Sequence, residues 1–434
     1  MPIDRLRKLQ NERLKELVNY VWHCVPFYNK LFKEANIVPS SIKSVDDLHK
    51  IPFTKKNDLR DNYPFGMFAV PKEEVARIHC SSGTTGKPTV VGYTKQDIET
   101  FAEVCARSLA AAGAEPGMKL QNAYGYGLFT GGLGLHYGAE KLGMTVIPVS
   151  GGMTDRQILL LRDFKPEVMS CTPSYALTVA EEIKKRGIEI EELNLKFMLL
   201  GAEPWTETIR EKVQGILNVA ATNIYGLSEI IGPGVSQEDY EERGTGSHVW
   251  EDHFFPEIVH PETGEPVPEG EYGVLCFTTL TKQATPLLRY WTNDITNLHY
   301  DTDSKRTHVK MGAILGRSDD MLIIRGVNLF PSQIEAVLND LPEFSSHYRL
   351  EISKEGNMDQ VDIHIELDEK IYRELKTEVI VPNNLDILKS LHQKLTQKIK
   401  DNIGLTMNIY LENYRSVSRS EGGKLNRVVD KRTR

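Results

Sequence analysis

Between about residue 95 and residue 225 the chain alternates helical stretches with short apolar runs, at 145–149, 168–171, 197–200 and 219–224. Apolar runs of strand length separated by helices are the pattern of a parallel α/β sheet. From about 246 to 300 the pattern changes to short alternating strands punctuated by turn sequences, ETGEP at 262–266 and PEGEYG at 268–273, which describe a small antiparallel sheet or barrel. After Arg317 a third style begins: a helix over 332–341, strands near 349–352 and 361–367, a long helix over about 383–401 and a strand near 407–411. The expected class is α/β, with a large N-terminal domain over 1–318 holding a mainly parallel sheet plus a small antiparallel sheet or barrel. A smaller α+β domain over 319–434 completes the chain. With 434 residues there is material for this division. Leu6, Leu9, Leu14, Leu17 and Val21 recur at mostly three-to-four spacing within 6–35, so that stretch is expected to be an amphipathic helix with a packing role.

Residues 81–89 read SSGTTGKPT, set between a strand-like run over 75–79 and Val90-Val91. Ser81, Ser82, Thr84 and Thr85 supply hydroxyl donors, Gly83 and Gly86 let backbone N–H groups approach an anion, and Lys87 adds a positive charge. This is a phosphate-handling loop. It is not a P-loop, which needs four residues between its glycines and a lysine that opens a helix. Only Thr84 and Thr85 separate the glycines here, and Pro88 pushes Lys87 out of the helical region.

The net charge is 52 minus 60, or −8, and no helix carries a basic block, which argues against a nucleic-acid partner. Cys24, Cys80, Cys105, Cys171 and Cys276 form no C-x-x-C pair and their number is odd, which argues for a reducing compartment rather than a disulfide framework. No apolar run reaches about 18 residues and the N-terminus is rich in charge, so no membrane partner is expected and a cytoplasmic enzyme is the default.

Seven local patterns in order, SSGTTGK, GAEPW at 201–205, YGLSE at 225–229, TND at 292–294, GRSDDM at 316–321, RGVNLFPSQIE at 325–335 and the Gly422-Gly423-Lys424 stretch, resemble the core motifs of the adenylate-forming (ANL) superfamily. Their wording is similar to that of the phenylacetate-CoA ligase family. The resemblance runs from about residue 20 to the C-terminus. It implies ATP, Mg2+ and coenzyme A as cofactors, an aryl acid as substrate, a mobile C-terminal domain and a homodimer.

By that resemblance the SSGTTGK loop closes over the β- and γ-phosphates of ATP. Gly201, Ala202, Glu203 and Pro204 border adenine and the acyl group, and the Gly201-Ala202 pair leaves room for a flat ring against backbone. Tyr225 stacks on adenine within Tyr225-Gly226-Leu227-Ser228, and Glu229 is the magnesium ligand, since a hard cation prefers carboxylate oxygen. Asp294 accepts hydrogen bonds from both ribose hydroxyls, a pairing that suits the two oxygens of one carboxylate. Here the sequence departs from the family: Trp291 stands in place of an arginine and Asn293 in place of glycine or arginine. Arg317 is the second nucleotide contact and Asp319 the interdomain hinge. Arg325 and Gly326 meet coenzyme A. Lys424 is the catalytic lysine, whose long cationic side chain can stabilise negative charge crowding between carboxylate and α-phosphate.

The stretch AYGYGLFTGGLGLHYG, 123–138, sets aromatics among glycines, and a flat substrate between rings is its natural occupant. The family's aryl pocket maps onto Tyr124 and Phe129, joined by Ala202, Ile224 and Pro233, all apolar or aromatic. Many relatives resemble holders of a structural zinc bound by cysteine and histidine. This chain keeps His248 and His253 but offers Glu238-Asp239 and Asp301-Thr302-Asp303 where cysteines would stand, a poorer set for structural zinc, so none is expected. The implied reaction is activation of an aryl acid, phenylacetate first, to its acyl-adenylate and then its CoA thioester. A benzoate-type aryl-CoA ligase, a cofactor-adenylating synthetase and a nucleotide-binding regulator without catalysis remain as alternatives.

Overall fold

The computed structural model describes residues 1–81, 88–301, 303–318, 322–324, 327–329, 331–355, 358–375, 386–417 and 427–431. The chain forms two compact units, Met1–Ile314 and Leu315–Arg434.

The first unit begins with helices α1 (Ile3–Cys24) and α2 (Pro26–Glu34), not with one continuous helix over 6–35. Pro26 explains the break: Val25 before it adopts φ −117° and ψ 105°, extended backbone that a residue preceding proline prefers. The amphipathic pattern nonetheless holds within α1, where Leu6, Leu14, Leu17, Val18 and Val21 are buried. A short helix, α3 (Lys56–Asp61), precedes the antiparallel hairpin of β1 (Arg77–Ser81) and β2 (Thr89–Tyr93), whose register ends at Ser81 opposite Thr89. The strand-like runs flanking the phosphate loop are thus strands of one hairpin, and residues 82–87 between them lie outside the described residues.

Next along the chain come α4 (Lys95–Ala111), β3 (Lys119–Asn122), α5 (Gly131–Leu142), β4 (Thr145–Ile147), α6 (Thr154–Phe164), β5 (Val168–Cys171), α7 (Pro173–Lys185), β6 (Phe197–Gly201), α8 (Glu207–Leu217) and β7 (Ala220–Leu227). Strands β4, β3, β5, β6 and β7 are neighbours in that order and run parallel. Strand β8 (Gly232–Glu238) turns back antiparallel to β7, because four residues are too few for the crossover a parallel neighbour needs. Three more short strands, β9 (Ser247–Val249), β13 (Leu298–His299) and β14 (Lys310–Met311), extend the same sheet antiparallel to nine strands. Between them β10 (Phe254–Val259), β11 (Gly273–Thr279) and β12 (Tyr290–Thr296) pair antiparallel in a separate sheet. The antiparallel region is therefore divided: part of it widens the large sheet and part forms the small one.

In the second unit, strands Asn408–Glu412, Met358–Leu367, Phe344–Glu355 and Val428–Asp430 are neighbours in that order. Helices Pro331–Asn339 and Asp386–Ile403 pack with them, and Ile334, Leu338, Leu350, Ile363, Leu395 and Ile399 form its core. No helix among the described residues is long and apolar enough to cross a membrane.

Candidate active site

In an open parallel sheet, ligands settle outside the carboxyl ends of the strands where neighbouring connections diverge. Strand β3 has β4 on one side and β5 on the other, so such a point lies at its end. Asn122, the last residue of β3, is fully buried and bonds four groups around that end. Its Nδ2 donates to the Gly132 carbonyl and to the Tyr126 hydroxyl, both at 2.8 Å, and its Oδ1 accepts from the Ser170 hydroxyl at 3.0 Å and the Tyr124 N–H at 3.2 Å. This one amide fixes the start of the glycine-rich segment. Tyr124 is buried against Cys171, Glu203 and the Gly201 backbone, and burial, then the first two of those neighbours, push its phenol well above the ordinary value. Its hydroxyl is a buried polar atom with no hydrogen-bond partner among the described residues.

The GAEPW turn leaves the end of β6. A Cβ on Gly201 would fall 2.1 Å from the Ile224 carbonyl oxygen of β7, so the residue is glycine because two strands close on it. The close approach at Gly201 is that of a neighbouring strand. Ala202 has φ +70° and an exposed side chain, and Pro204 is exposed as well. Glu203 Oε2 accepts from the Ser174 hydroxyl at 2.7 Å near the start of α7, and Trp205 donates to Asn223 Oδ1 at 3.1 Å. Ile224 is buried and Pro233, on β8, is half-buried opposite Gly226. Tyr124, Ala202 and Ile224 thus gather around Gly201. Phe129 follows Leu128, whose carbonyl accepts from the Cys80 N–H of the hairpin at 3.0 Å, and it is 54% exposed.

The YGLSE residues end β7 and enter the turn to β8. The Tyr225 hydroxyl donates to Asp294 Oδ2 at 2.6 Å, joining motifs 69 residues apart. The Tyr225 ring stacks near Phe277, centroids 6.3 Å apart and planes inclined by 30°. At Gly226 a Cβ would meet the Gly232 carbonyl at 1.8 Å, so this turn too requires glycine. Leu227 closes the strand, and the Ser228 hydroxyl lies 3.3 Å from that of Thr130. Glu229, in the turn between antiparallel strands, is 5% exposed, and the Lys56 ammonium stands 3.5 Å from its Oε1.

Asp294 is presented by a bulge in β12: Val274 pairs with Ile295 but Cys276 with Trp291, so the TND residues stand opposite Leu275 alone and their strand carries two extra residues. Bulges re-aim side chains next to active sites. Asn293 takes φ +69°, a conformation asparagine tolerates, and its Oδ1 accepts from the Trp291 indole at 2.8 Å. Trp291 in turn packs edge-on against Phe53 at 4.9 Å, with the Lys55 ammonium 5.5 Å from its ring. The two departures from the family pattern, Trp291 and Asn293, therefore support each other.

Arg317 belongs to the short strand Gly316–Arg317 of the second unit. Ser82, Gly83, Thr84, Thr85, Gly86, Lys87, Asp319, Arg325, Gly326 and Lys424 lie outside the described residues. The carboxylates standing where thiolates would hold zinc are committed to cations. Glu238 accepts from Arg210 at 2.7 and 3.1 Å, Asp239 pairs with Arg306 at 3.2 Å, and Asp301 with Lys310 at 2.7 Å. His248 is fully buried, 3.2 Å from the Ser304 hydroxyl, and His253 bonds Thr281 at 2.8 Å. Among the described residues no group of three His, Cys, Asp or Glu is arranged to hold a metal ion.

Lys55 and Lys56 carry no motif and reach the site through tertiary pairing. Thr54 lies along the start of β12, its N–H donating to the Arg289 carbonyl at 3.2 Å and its carbonyl accepting from Trp291 at 2.9 Å. Its hydroxyl donates to the Leu288 carbonyl at 2.7 Å. Only the threonine before a lysine pair hints at this in the sequence. Lys282 and Asn122 have no sequence signal at all.

Residues 26–281 match the AMP-binding enzyme family, and residues 326–432 match the AMP-binding enzyme C-terminal domain. The chain is 62% identical over 436 residues to the phenylacetate-coenzyme A ligase of Thermus thermophilus, a match covering 100% of this chain and 98% of the relative. It is 48% identical over 434 residues to that of Escherichia coli, covering 99% and 96%. A solved 2-hydroxyisobutyryl-CoA ligase in complex with 2-HIB-AMP aligns with TM-score 0.91 at 27% identity, over 100% of this chain and 91% of that one.

Proposed function

The chain belongs to the phenylacetate-CoA ligase family of AMP-binding enzymes, and from that premise we propose that it converts phenylacetate, ATP and coenzyme A to phenylacetyl-CoA, AMP and pyrophosphate. The observation that carries the site assignment is the 2.6 Å hydrogen bond from Tyr225 to Asp294, which brings an aromatic wall for a base and a carboxylate for a ribose to one place. A carboxylate offers about four acceptor positions, the number that lets one aspartate serve a tyrosine hydroxyl and a ribose diol together.

In the first half-reaction the substrate carboxylate attacks the α-phosphorus and pyrophosphate leaves. In the second, the coenzyme A thiol attacks the acyl carbon and AMP leaves. Neither step needs a nucleophile from the protein, so the chain's work is to position and to stabilise charge. Tyr124 and Ile224 offer an apolar wall on which an unsubstituted ring loses little, since their polar atoms are few and the phenol stays neutral. Lys56 supplies positive charge beside Glu229.

Glu229 is a single buried carboxylate, and a single carboxylate completed by phosphate oxygens and water is a common magnesium set, so the residue fits that ion. Magnesium held there would neutralise charge on the nucleotide phosphates. Lys424 is assigned the cation at the carboxylate and α-phosphate, Arg317 a nucleotide contact, Asp319 the hinge, and Arg325 and Gly326 the approach of coenzyme A.

Pyrophosphate release measured over phenylacetate, benzoate, indoleacetate and short fatty acids, with and without coenzyme A, tests the reading. Phenylacetate is expected to be turned over fastest and to need coenzyme A for sustained release. A faster rate with benzoate or a fatty acid would overturn the substrate assignment, and no release with any acid would overturn the reaction.

A further inference from the structure

A buried cation outside all of the motifs stands near this site. Lys282 lies in the connection between β11 and β12, is 3% exposed, and its ammonium is buried without a hydrogen-bond partner among the described residues. It is seated on the Tyr93 ring, 3.8 Å from the centroid. A buried ammonium without an acceptor is costly, and a cation–π contact recovers only part of that cost. The surroundings make the position rigid. Asp97 accepts from the Gln283 and Ala284 N–H groups at 2.7 and 2.9 Å, and the Gly92 N–H donates to Thr285 at 2.8 Å.

The place it occupies lies directly behind the phosphate hairpin. Cross-strand partners and alternate residues share a face of an antiparallel pair, so Arg77, His79, Thr89 and Tyr93 stand on one face. That face holds three further buried groups without partners among the described residues, Arg77 Nη1, His79 Nε2 and Thr89 Oγ1. The His79 ring meets the Tyr93 ring edge-on at 5.2 Å. On the other side, the Tyr93 hydroxyl donates to the Ile231 carbonyl at 2.9 Å, fixing the turn that carries Glu229. Lys282 is thus built between the hairpin that ends in the phosphate loop and the turn of the proposed metal ligand.

We propose that Lys282 is a positioning residue for the polyphosphate of the nucleotide, a fixed internal positive charge that draws and orients the pyrophosphate end through the hairpin without contacting it. The inference rests on the nucleotide reading of the site. Charges separated by low-dielectric protein act on one another more strongly than across water and are screened little by salt. Burial lowers the pKa of Lys282 to about 8, and Asp97 and Glu229 oppose the shift, so the group is largely charged at neutral pH. The groups that face it are Asp97, Glu229, His79 and Tyr93.

The test is calorimetric binding of inorganic pyrophosphate, ATP and AMP to wild type, Lys282→Met and Lys282→Arg, with thermal unfolding of each. In Lys282→Met, pyrophosphate and ATP are expected to weaken on the order of tenfold and AMP less than about twofold. Lys282→Arg, which keeps the charge, is expected to stay within about threefold of wild type for all three ligands. The melting temperature of Lys282→Met should equal or exceed that of wild type, because an apolar isostere removes an unpaired buried charge. Unchanged pyrophosphate binding in Lys282→Met, or parallel loss of all three ligands with a lowered melting temperature, would overturn the proposal. If wild type itself binds neither ATP nor AMP, the nucleotide reading fails instead.

Discussion

Replacing Tyr225 by Phe deletes one oxygen and leaves the ring, so it isolates the hydrogen bond to Asp294. That bond is short, 2.6 Å, and its acceptor is a carboxylate, which puts it in the charge-assisted class worth about 1.5–3 kcal/mol net. Asp294 is only half-buried, so water can take over part of the lost interaction and the lower end of that range applies. About 1.4 kcal/mol corresponds to a factor of ten in an equilibrium constant. The backbone that carries Asp294 does not depend on Tyr225, since its N–H donates to the Thr292 hydroxyl at 3.0 Å within the bulge. The ring also keeps its neighbour, Phe277. Tyr225→Phe should therefore fold normally and raise the KM for ATP about tenfold, with kcat changed less. If Asp294 serves both ribose hydroxyls as proposed, ATP should lose more than 2′-deoxy-ATP, so the preference between the two narrows. The assay is steady-state pyrophosphate release with each nucleotide at saturating phenylacetate. If the KM for ATP is unchanged or falls, the tyrosine hydroxyl competes with the ribose instead of orienting its carboxylate, and the reasoning is refuted.

Lys424→Ala is expected to abolish acyl-adenylate formation, a loss of about 10²–10³ or more in rate, while thioester formation from supplied acyl-adenylate persists; wild-type pyrophosphate release by the mutant would show the assignment wrong. Gly201→Ala forces a Cβ into contact 2.1 Å from the Ile224 carbonyl, so urea denaturation should show a loss of about 1–3 kcal/mol, whereas Gly215→Ala in α8, where a Cβ meets nothing within 4 Å, should be neutral or stabilising. Burial raises the pKa of Glu242, but hydrogen bonds from Lys310 and Ser304 outweigh it and hold the carboxyl at about 2 against an ordinary 4.5; this supplies about 2–3 kcal/mol of stability, present in full above pH 4.5 and lost as the pH falls through 2. Lys310→Met removes contacts of 2.8 Å to Glu242, 2.7 Å to Asp301 and 2.9 Å to Thr245, so its deficit in melting temperature should be largest near pH 7 and shrink toward pH 2; a deficit independent of pH would refute the role of Glu242.

What the sequence discloses about the fold depends on whether a strand's burial is apolar. Strands β5 and β6 are buried along nearly their whole length and are written as the apolar runs VMSC and FMLLG, so they are legible. Strand β3 lies between β4 and β5 but reads KLQN, and its Gln121 and Asn122 are fully buried polar residues. A pattern of hydrophobicity passes over it. The reason is local bonding: Asn122 bonds four groups around the glycine-rich segment, and an apolar residue there would leave them unpaired. The single helix expected over 6–35 fails for a different cause, since periodicity continues across Pro26 while the backbone cannot.

The same division runs through the site. Glycines at 201 and 226 are legible as constraints because no other residue fits, although what approaches them is a carbonyl from a neighbouring strand. Tyr225, Glu229 and Asp294 are legible as types in a motif. Their mutual geometry is not, because it is set by a bulge in β12 and by the return of β8, neither of which has a local signature. Lys56 and Lys282 are the extreme case. Each is one lysine among many until Thr54 is brought against Leu288, 234 residues away, or until Tyr93 supplies a ring beneath an ammonium. Charge that has to be held at a fixed distance from a polyanion is best anchored by parts of the scaffold that do not move with the ligand. Lys56, on α3, and Lys282, between β11 and β12, lie outside the glycine-rich motifs, so a motif search passes over them.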